Sequence, residues 1–161
     1  MSARVVVGAA TAVLVVVYAV GAGWWVSVEP GWYRSLVRPW WQPPDAVFGI
    51  VWPYNFAALV AAGVAVASHA PGGGRAAAVA WAVWLGCLAG SVAAALAWAR
   101  LFYVSHSLVA SGWALVGAAA LTVPLVVVAW RARTWAGLAL LPYQLWLCVA
   151  ASLAFGYAAR N

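Results

Sequence analysis

Charged residues are scarce in this chain: they make up 6% of its 161 residues, against about a quarter in ordinary soluble domains. Lysine is absent, and Glu29 and Asp45 are the only acids. Hydrophobic residues account for 68% of the chain, and the mean hydropathy is +0.99. Because charged residues this scarce cannot cover a surface that faces water, we predict that the protein is surrounded by lipid.

The residue types that support hydrolytic or metal chemistry are also few. Cys87 and Cys148 both lie within apolar runs and give no basis for a disulfide framework. His69 and His106 stand alone near predicted helix ends, and the sequence holds no buried acid pair and no Cys/His metal spacing. The eight arginines are scattered, which excludes the clustered basic face of a nucleic-acid-binding protein. We therefore expect neither a metal site nor a required cofactor.

Five apolar runs are long enough to cross a bilayer, since a core of about 30 Å takes about 20 helical residues. We predict an all-α integral membrane bundle, a single domain over residues 1–161, with helices at 5–28, 46–68, 76–99, 108–130 and 135–159. The glycine-rich stretch 71–75 and the other short links make successive helices antiparallel neighbours. The first run is too long for a signal peptide, so we expect it to be retained. The arginines divide four against four between the two ends, so the orientation stays open.

Tryptophan is abundant, with thirteen residues in the chain. Indole rings favour the membrane interfaces, which accounts for the tryptophans near the predicted helix ends. Others fall inside the apolar runs, namely Trp52, Trp84, Trp98, Trp113 and Trp146. These either pack within the bundle or face lipid, or they line a cavity whose flat aromatic walls suit a large planar ligand.

The most specific motif lies in the long first loop, residues 29–45. It reads Trp32-Tyr33-Arg34-Ser35-Leu36-Val37-Arg38-Pro39-Trp40-Trp41-Gln42-Pro43-Pro44 and leads into Phe48-Gly49-Ile50-Val51-Trp52. Its prolines fix φ and restrict their neighbours, so we predict a rigid lid over one end of the bundle, or a structural plug. With Pro142-Tyr143-Gln144-Leu145-Trp146 in the last helix, the motif resembles the signature of the TspO/MBR family of tryptophan-rich sensory and translocator proteins. The resemblance spans the whole chain and implies the same five-helix fold.

The resemblance implies a membrane receptor that binds porphyrin-type ligands, such as protoporphyrin IX or haem, or another apolar planar molecule. It also implies that Trp52 and Trp146 lie beside the ligand and are the candidates for light-dependent porphyrin breakdown, an activity of some bacterial members. The propionates of a porphyrin need cations, for which Arg34 and Arg38 are the candidates. The full expected ligand-binding set is Trp40, Trp41, Phe48, Trp52, Asn55, Phe56, Trp98, Tyr143, Trp146, Arg34 and Arg38.

Several polar positions of the family pattern are altered. Ala95 and Arg100 replace an Asn and a Pro of the third predicted helix, and Phe56 and Ala154 replace a Tyr and an Asn. The fold is expected to survive these changes, whereas the ligand stays open. Alternatives to a receptor are a light-dependent porphyrin-degrading enzyme, a transporter of porphyrin or lipid, and a structural membrane protein. A transporter is disfavoured because no inverted repeat or broken helix pair is visible.

Small residues suggest one further contact. Gly86 and Gly90 lie four positions apart on a ridge that lets helices approach closely. The family resemblance associates this ridge with a homodimer, and packing within one chain is the alternative. Leu153, Tyr157 and Arg160 fit a proposed cholesterol pattern, which is a weak signal anywhere. We expect a multi-pass protein of a bacterial cell membrane, with lipid and an apolar small molecule as its partners.

Overall fold

The computed structural model describes residues 2–70 and 74–161, which form six helices and no strand. The long helices are α1 (Ala3–Val26), α3 (Asp45–His69), α4 (Gly74–Tyr103), α5 (Leu108–Ala132) and α6 (Thr134–Ala158), and α2 (Pro30–Ser35) is a short helix in the first loop. All five long helices are apolar enough to cross a membrane. The prediction of an all-α integral membrane bundle is therefore confirmed.

The first loop and the end of α4 differ most from the sequence prediction, whereas the other ends of the long helices agree with it within two residues. The first loop contains α2, which begins at Pro30, where the fixed φ of proline suits the first turn of a helix. Helix α4 continues past the predicted end at residue 99 because Phe102 and Tyr103 are buried against the rest of the bundle. Within the predicted link 71–75, residues 71–73 lie outside the described part of the chain. Gly74 opens α4 at φ 46°, a conformation that glycine adopts readily.

Helices α1, α3 and α4 meet at a buried polar contact centred on Thr11. Trp84 of α4 donates from Nε1 to Oγ1 of Thr11 in α1 at 2.9 Å, and Thr11 donates to the carbonyl of Val7 at 2.9 Å. Gly63 of α3 lies so close that a Cβ there would clash with Cγ2 of Thr11. This contact fixes α1 against both neighbours, while α5 packs against α4 and α6.

The lid, residues 29–45, rests on the C-terminal end of α6. A Cβ built on Gly156 would lie 2.7 Å from Cζ2 of Trp41 and 2.9 Å from Cγ of Pro39. The Val37 backbone N–H donates to Oδ1 of Asn161 at 2.8 Å, and Nδ2 of Asn161 donates to the Val37 carbonyl at 3.3 Å. The lid therefore rests on Gly156, where no side chain fits, and it is held by two hydrogen bonds to Asn161.

Candidate ligand-binding site

A cavity of about 520 Å³ lies beneath the lid, walled by α1, α3, α4 and α6. Its volume is typical of small-molecule pockets, which span about 300–1,000 Å³. Helix α1 contributes Ala19, Ala22 and Gly23, which are small, and Val26. The opposite walls carry large aromatic side chains. One side of the cavity is therefore formed mainly by small residues and the other by aromatic rings.

The aromatic wall is centred on Trp52 of α3. Its ring lies 6.3 Å from that of Trp98 in α4, with 23° between the planes, and 6.3 Å from that of Trp146 in α6, nearly perpendicular at 89°. Phe56 stacks behind Trp52 at 5.8 Å, and Phe48 meets Trp146 edge-on at 5.1 Å. The cavity thus offers both ring faces and ring edges, the two ways in which aromatic ligands are held.

Helical spacing explains how these residues come together. Phe48, Trp52 and Phe56 are four residues apart and share one face of α3. On α6, Trp146, Ala150 and Ala154 repeat at the same interval, again facing the cavity. Between Trp146 and the lid, α6 therefore presents methyl groups, where bulkier residues would fill the space. At Ala154, where the family resemblance leads one to expect an Asn, the wall of the cavity is apolar.

Polar groups of the cavity gather at the lid. Gln42 donates from Nε2 to the Tyr33 hydroxyl at 3.2 Å, and the Tyr157 hydroxyl hydrogen-bonds to Oε1 of Gln42. Asp45 also lines the cavity, and its Oδ1 lies 3.5 Å from Nη1 of Arg38. The Arg38 guanidinium lies 5.9 Å from the centroid of the Tyr33 ring. The mouth of the cavity is therefore polar and the walls beneath it are apolar.

Five of the residues predicted from sequence line the cavity: Phe48, Trp52, Phe56, Trp98 and Trp146. The remaining predicted aromatics of the lid do not. Trp40 is 86% exposed on the outer side of the lid, because its ring points away from the bundle. Trp41 packs over Gly156 and against the guanidinium of Arg160, 4.9 Å from its ring centroid. Trp40 and Trp41 therefore belong to the lid without bordering the cavity.

Arg34 and Arg38, the cations predicted to bind the propionates, lie at different places relative to the cavity. Arg34 lies exposed on α2 and does not line the cavity. Arg38 reaches the rim, where it pairs with Asp45 instead of facing inward. Among the described residues no arginine lines the cavity wall, so the one formal charge on that wall is the carboxylate of Asp45.

Asn55 and Tyr143, the last two predicted residues, lie deeper than the cavity lining and are buried in the bundle. Tyr18 of α1 is buried as well, and its hydroxyl lies near that of Tyr143. Side-chain polar atoms of Tyr18, Asn55, Tyr143 and Trp146 have no hydrogen-bond partner within the described residues. The ring of Tyr18 meets that of Trp52 edge-on at 5.8 Å, so this tyrosine lies directly behind the aromatic wall.

Sequence reasoning missed several lining residues, including Tyr103, Tyr157 and the α1 wall. Tyr157 gave only the weak cholesterol pattern, and small residues such as Ala22 carry no signal of their own. Tyr33 and Gln42 stood within the lid motif, but nothing in the motif indicated that they point into the cavity.

The Gly86 and Gly90 ridge divides between two surroundings. A Cβ on Gly90 would lie 3.0 Å from Cδ1 of Leu121 in α5, whereas one on Gly86 would meet no atom within 4 Å. Gly90 therefore serves packing within the chain, and Gly86 is exposed on the outer face of α4. A homodimer through this ridge stays a prediction.

The fold defines a multi-pass helical membrane protein, with a cavity beneath its first loop. Residues 10–160 match the TspO/MBR family. The chain is 29% identical over 155 residues to "Uncharacterized membrane protein YtaB" of Bacillus subtilis, covering 94% of this chain and 96% of the relative. It is 30% identical over 125 residues to a tryptophan-rich sensory protein of Cereibacter sphaeroides, covering 77% and 73%. It is 33% identical over 129 residues to the human translocator protein, covering 76% and 70%. The protein belongs to the TspO/MBR family.

Proposed function

We propose that this protein is a membrane receptor that binds a flat, mostly apolar ligand of the porphyrin type beneath the lid. The observation that carries the proposal is the arrangement of Trp52, Trp98 and Trp146 around one cavity of about 520 Å³. The relatives' names, tryptophan-rich sensory protein and translocator protein, refer to those proteins and fit a ligand-binding role here.

The charges at the mouth bear on the form of the ligand. Protoporphyrin IX carries two propionates, and a propionate at the rim competes with Asp45 for the guanidinium of Arg38. Asp45 itself repels an anion from the cavity wall. A porphyrin without free carboxylates neither competes for Arg38 nor is repelled by Asp45. We therefore expect the dimethyl ester of protoporphyrin IX to bind at least as tightly as the free acid.

Tryptophan fluorescence tests the site directly. Protoporphyrin IX is titrated in the dark into the detergent-purified protein and into Trp52→Phe, Trp146→Phe and Trp113→Phe variants. Trp113 is the matched control because it is 64% exposed and packs against Phe155, away from the cavity. Loss of an indole contact worth about 0.5–1.5 kcal/mol weakens binding about 2- to 10-fold in the two cavity variants.

The control should bind as the parent does. Quenching that fails to saturate, or that weakens equally in all three variants, would show that the ligand does not occupy this cavity.

Light-dependent porphyrin breakdown is a second candidate, favoured because Trp52 and Trp146 both border the cavity. An excited porphyrin transfers energy to dioxygen, and the singlet oxygen formed adds to the porphyrin ring, so light and dioxygen supply the oxidation. An electron that the excited porphyrin takes from a neighbouring indole passes on to dioxygen, which returns the porphyrin to its original oxidation state and leaves the indole oxidised. The test follows the porphyrin absorption band under illumination for the parent and for Trp146→Phe. Equal rates of bleaching in the two proteins would exclude a role for this side chain.

A further inference from the structure

A second concave surface lies at the end of the bundle opposite to the lid, between the start of α4 and the end of α5. This groove, of about 710 Å³, is lined by Arg75, Ala76, Val79, Ala80 and Val83 of α4, and by Val128 and Arg131 of α5. On α4 these positions follow one helix face at intervals of three and four residues. The alanines leave the floor open, and the valines form apolar walls.

Both ends of the groove's polar rim are cationic. Arg75 lies in the first turn of α4 and Arg131 in the last turn of α5, so the antiparallel helices bring them to the same membrane surface. The chain has only two acids, and both lie at the lid end, where Glu29 is 3.3 Å from His106 and Asp45 pairs with Arg38. No carboxylate of this chain is therefore available to neutralise the two groove arginines.

The depth of the groove places it across the headgroup boundary. Helix α4 has 30 residues, which at about 1.5 Å per residue extend about 45 Å, the thickness of a bilayer with its headgroup regions. Its first turn, with Arg75, thus lies at headgroup level, while Val79 and Val83 lie progressively deeper. Trp130 and Trp135, both exposed, mark the same interface beside Arg131.

We propose that this groove is a binding site for an anionic phospholipid. Arg75 and Arg131 hold the phosphate of the headgroup by charge-assisted hydrogen bonds, and one acyl chain lies along Val79 and Val83. A free phosphate ion would use the arginines but not the valine walls, which continue into the hydrocarbon region. The charge and the depth of the groove therefore favour a lipid.

Native mass spectrometry of the full chain in detergent tests the site by counting bound phosphatidylglycerol and phosphatidylcholine. The test variant is Arg75→Gln with Arg131→Gln. The matched control is Arg4→Gln with Arg133→Gln, which removes the same charge from the same membrane surface at exposed arginines outside the groove. In the groove variant, we expect the preference for phosphatidylglycerol over phosphatidylcholine to fall about 30-fold, because two arginine–headgroup contacts contribute about that factor. The control should keep the preference of the parent protein.

Three results would overturn the proposal. Equal binding of the two lipids by the parent protein would show that charge is not selected. An equal loss in both double variants would indicate diffuse attraction to the whole surface. Displacement of phosphatidylglycerol by an equimolar amount of inorganic phosphate would make the site one for a free anion.

Discussion

Gly156 is the position at which a single methyl group should release the lid. A Cβ there would lie 2.7 Å from Trp41 and 2.9 Å from Pro39, both rigid rings of the lid. Overpacking of this kind costs about 1–3 kcal/mol. Helix α6 is held by its packing against α5 and cannot retreat, whereas the lid is a loop fixed by a few hydrogen bonds. We therefore expect Gly156→Ala to displace the lid and to leave the helices in place.

The size of the effect follows from what holds the lid closed. Hydrogen bonds between Val37 and Asn161 and between Gln42 and Tyr157 tie the lid to α6. Each is worth about 0.5–1.5 kcal/mol, so the cost of the methyl group is of the order of one or two of these bonds. A shift of about 1–2 kcal/mol lowers the ratio of closed to open lid about 5- to 30-fold. Hydrogen exchange measures this ratio at the Val37 amide, which donates to Asn161 in the closed lid.

The expected result is faster exchange at Val37 by that factor in Gly156→Ala, with an unchanged thermal midpoint of the bundle. Gly117→Ala is the matched control, because a Cβ at Gly117 in α5 meets no atom within 4 Å. Parent-like exchange at Val37 in Gly156→Ala would refute the reasoning. So would the same acceleration in the control, since it would then reflect a general effect of replacing glycine.

Three further changes have defined outcomes. Thr11→Val removes the acceptor of the buried Trp84 Nε1 and should destabilise the protein by about 1–3 kcal/mol. Thermal unfolding in detergent would show this loss, and Thr11→Ser, which keeps the oxygen, should unfold near the temperature of the parent. Asp45→Asn frees Arg38 and should tighten binding of protoporphyrin IX by up to about 5-fold, because an exposed ion pair contributes up to about 1 kcal/mol. An equal gain in affinity for the dimethyl ester would contradict the charge argument. Tyr18→Phe removes a buried hydroxyl without a partner among the described residues, so the melting temperature should stay level or rise; a fall would contradict this.

The helices could be predicted from sequence because lipid imposes a length on every apolar run. Which side chains face the cavity could not, because helices that are apolar all round lack the polar stripe that reveals a buried face. Trp84 and Trp113 lie inside apolar runs as Trp52 does. However, Trp84 is fully buried on a hydrogen bond to α1, and Trp113 faces outward.

Which residues of the lid face the cavity could not be predicted from sequence either. The prolines predicted a stiff segment, but the path of that segment over the bundle determines which of its residues reach the cavity. Tyr33 and Gln42 point inward, whereas Trp40 points outward, although all three stand in one motif. Arg34 was separated from the cavity by the turn of α2, which the loop sequence did not predict.

In the proposed receptor, recognition of a ligand would use the same hydrogen bonds as closure of the lid. Tyr33, Gln42 and Tyr157 line the cavity, and they also bond the lid to α6. A ligand group that hydrogen-bonds to Gln42 must replace a bond that closes the lid, so it binds the open and closed states with different free energies. Such a ligand shifts the lid equilibrium by that difference. A purely apolar ligand leaves these bonds intact and stabilises the closed lid through contacts beneath it. The effect of a ligand on Val37 exchange therefore distinguishes the two kinds of ligand, even before either is identified.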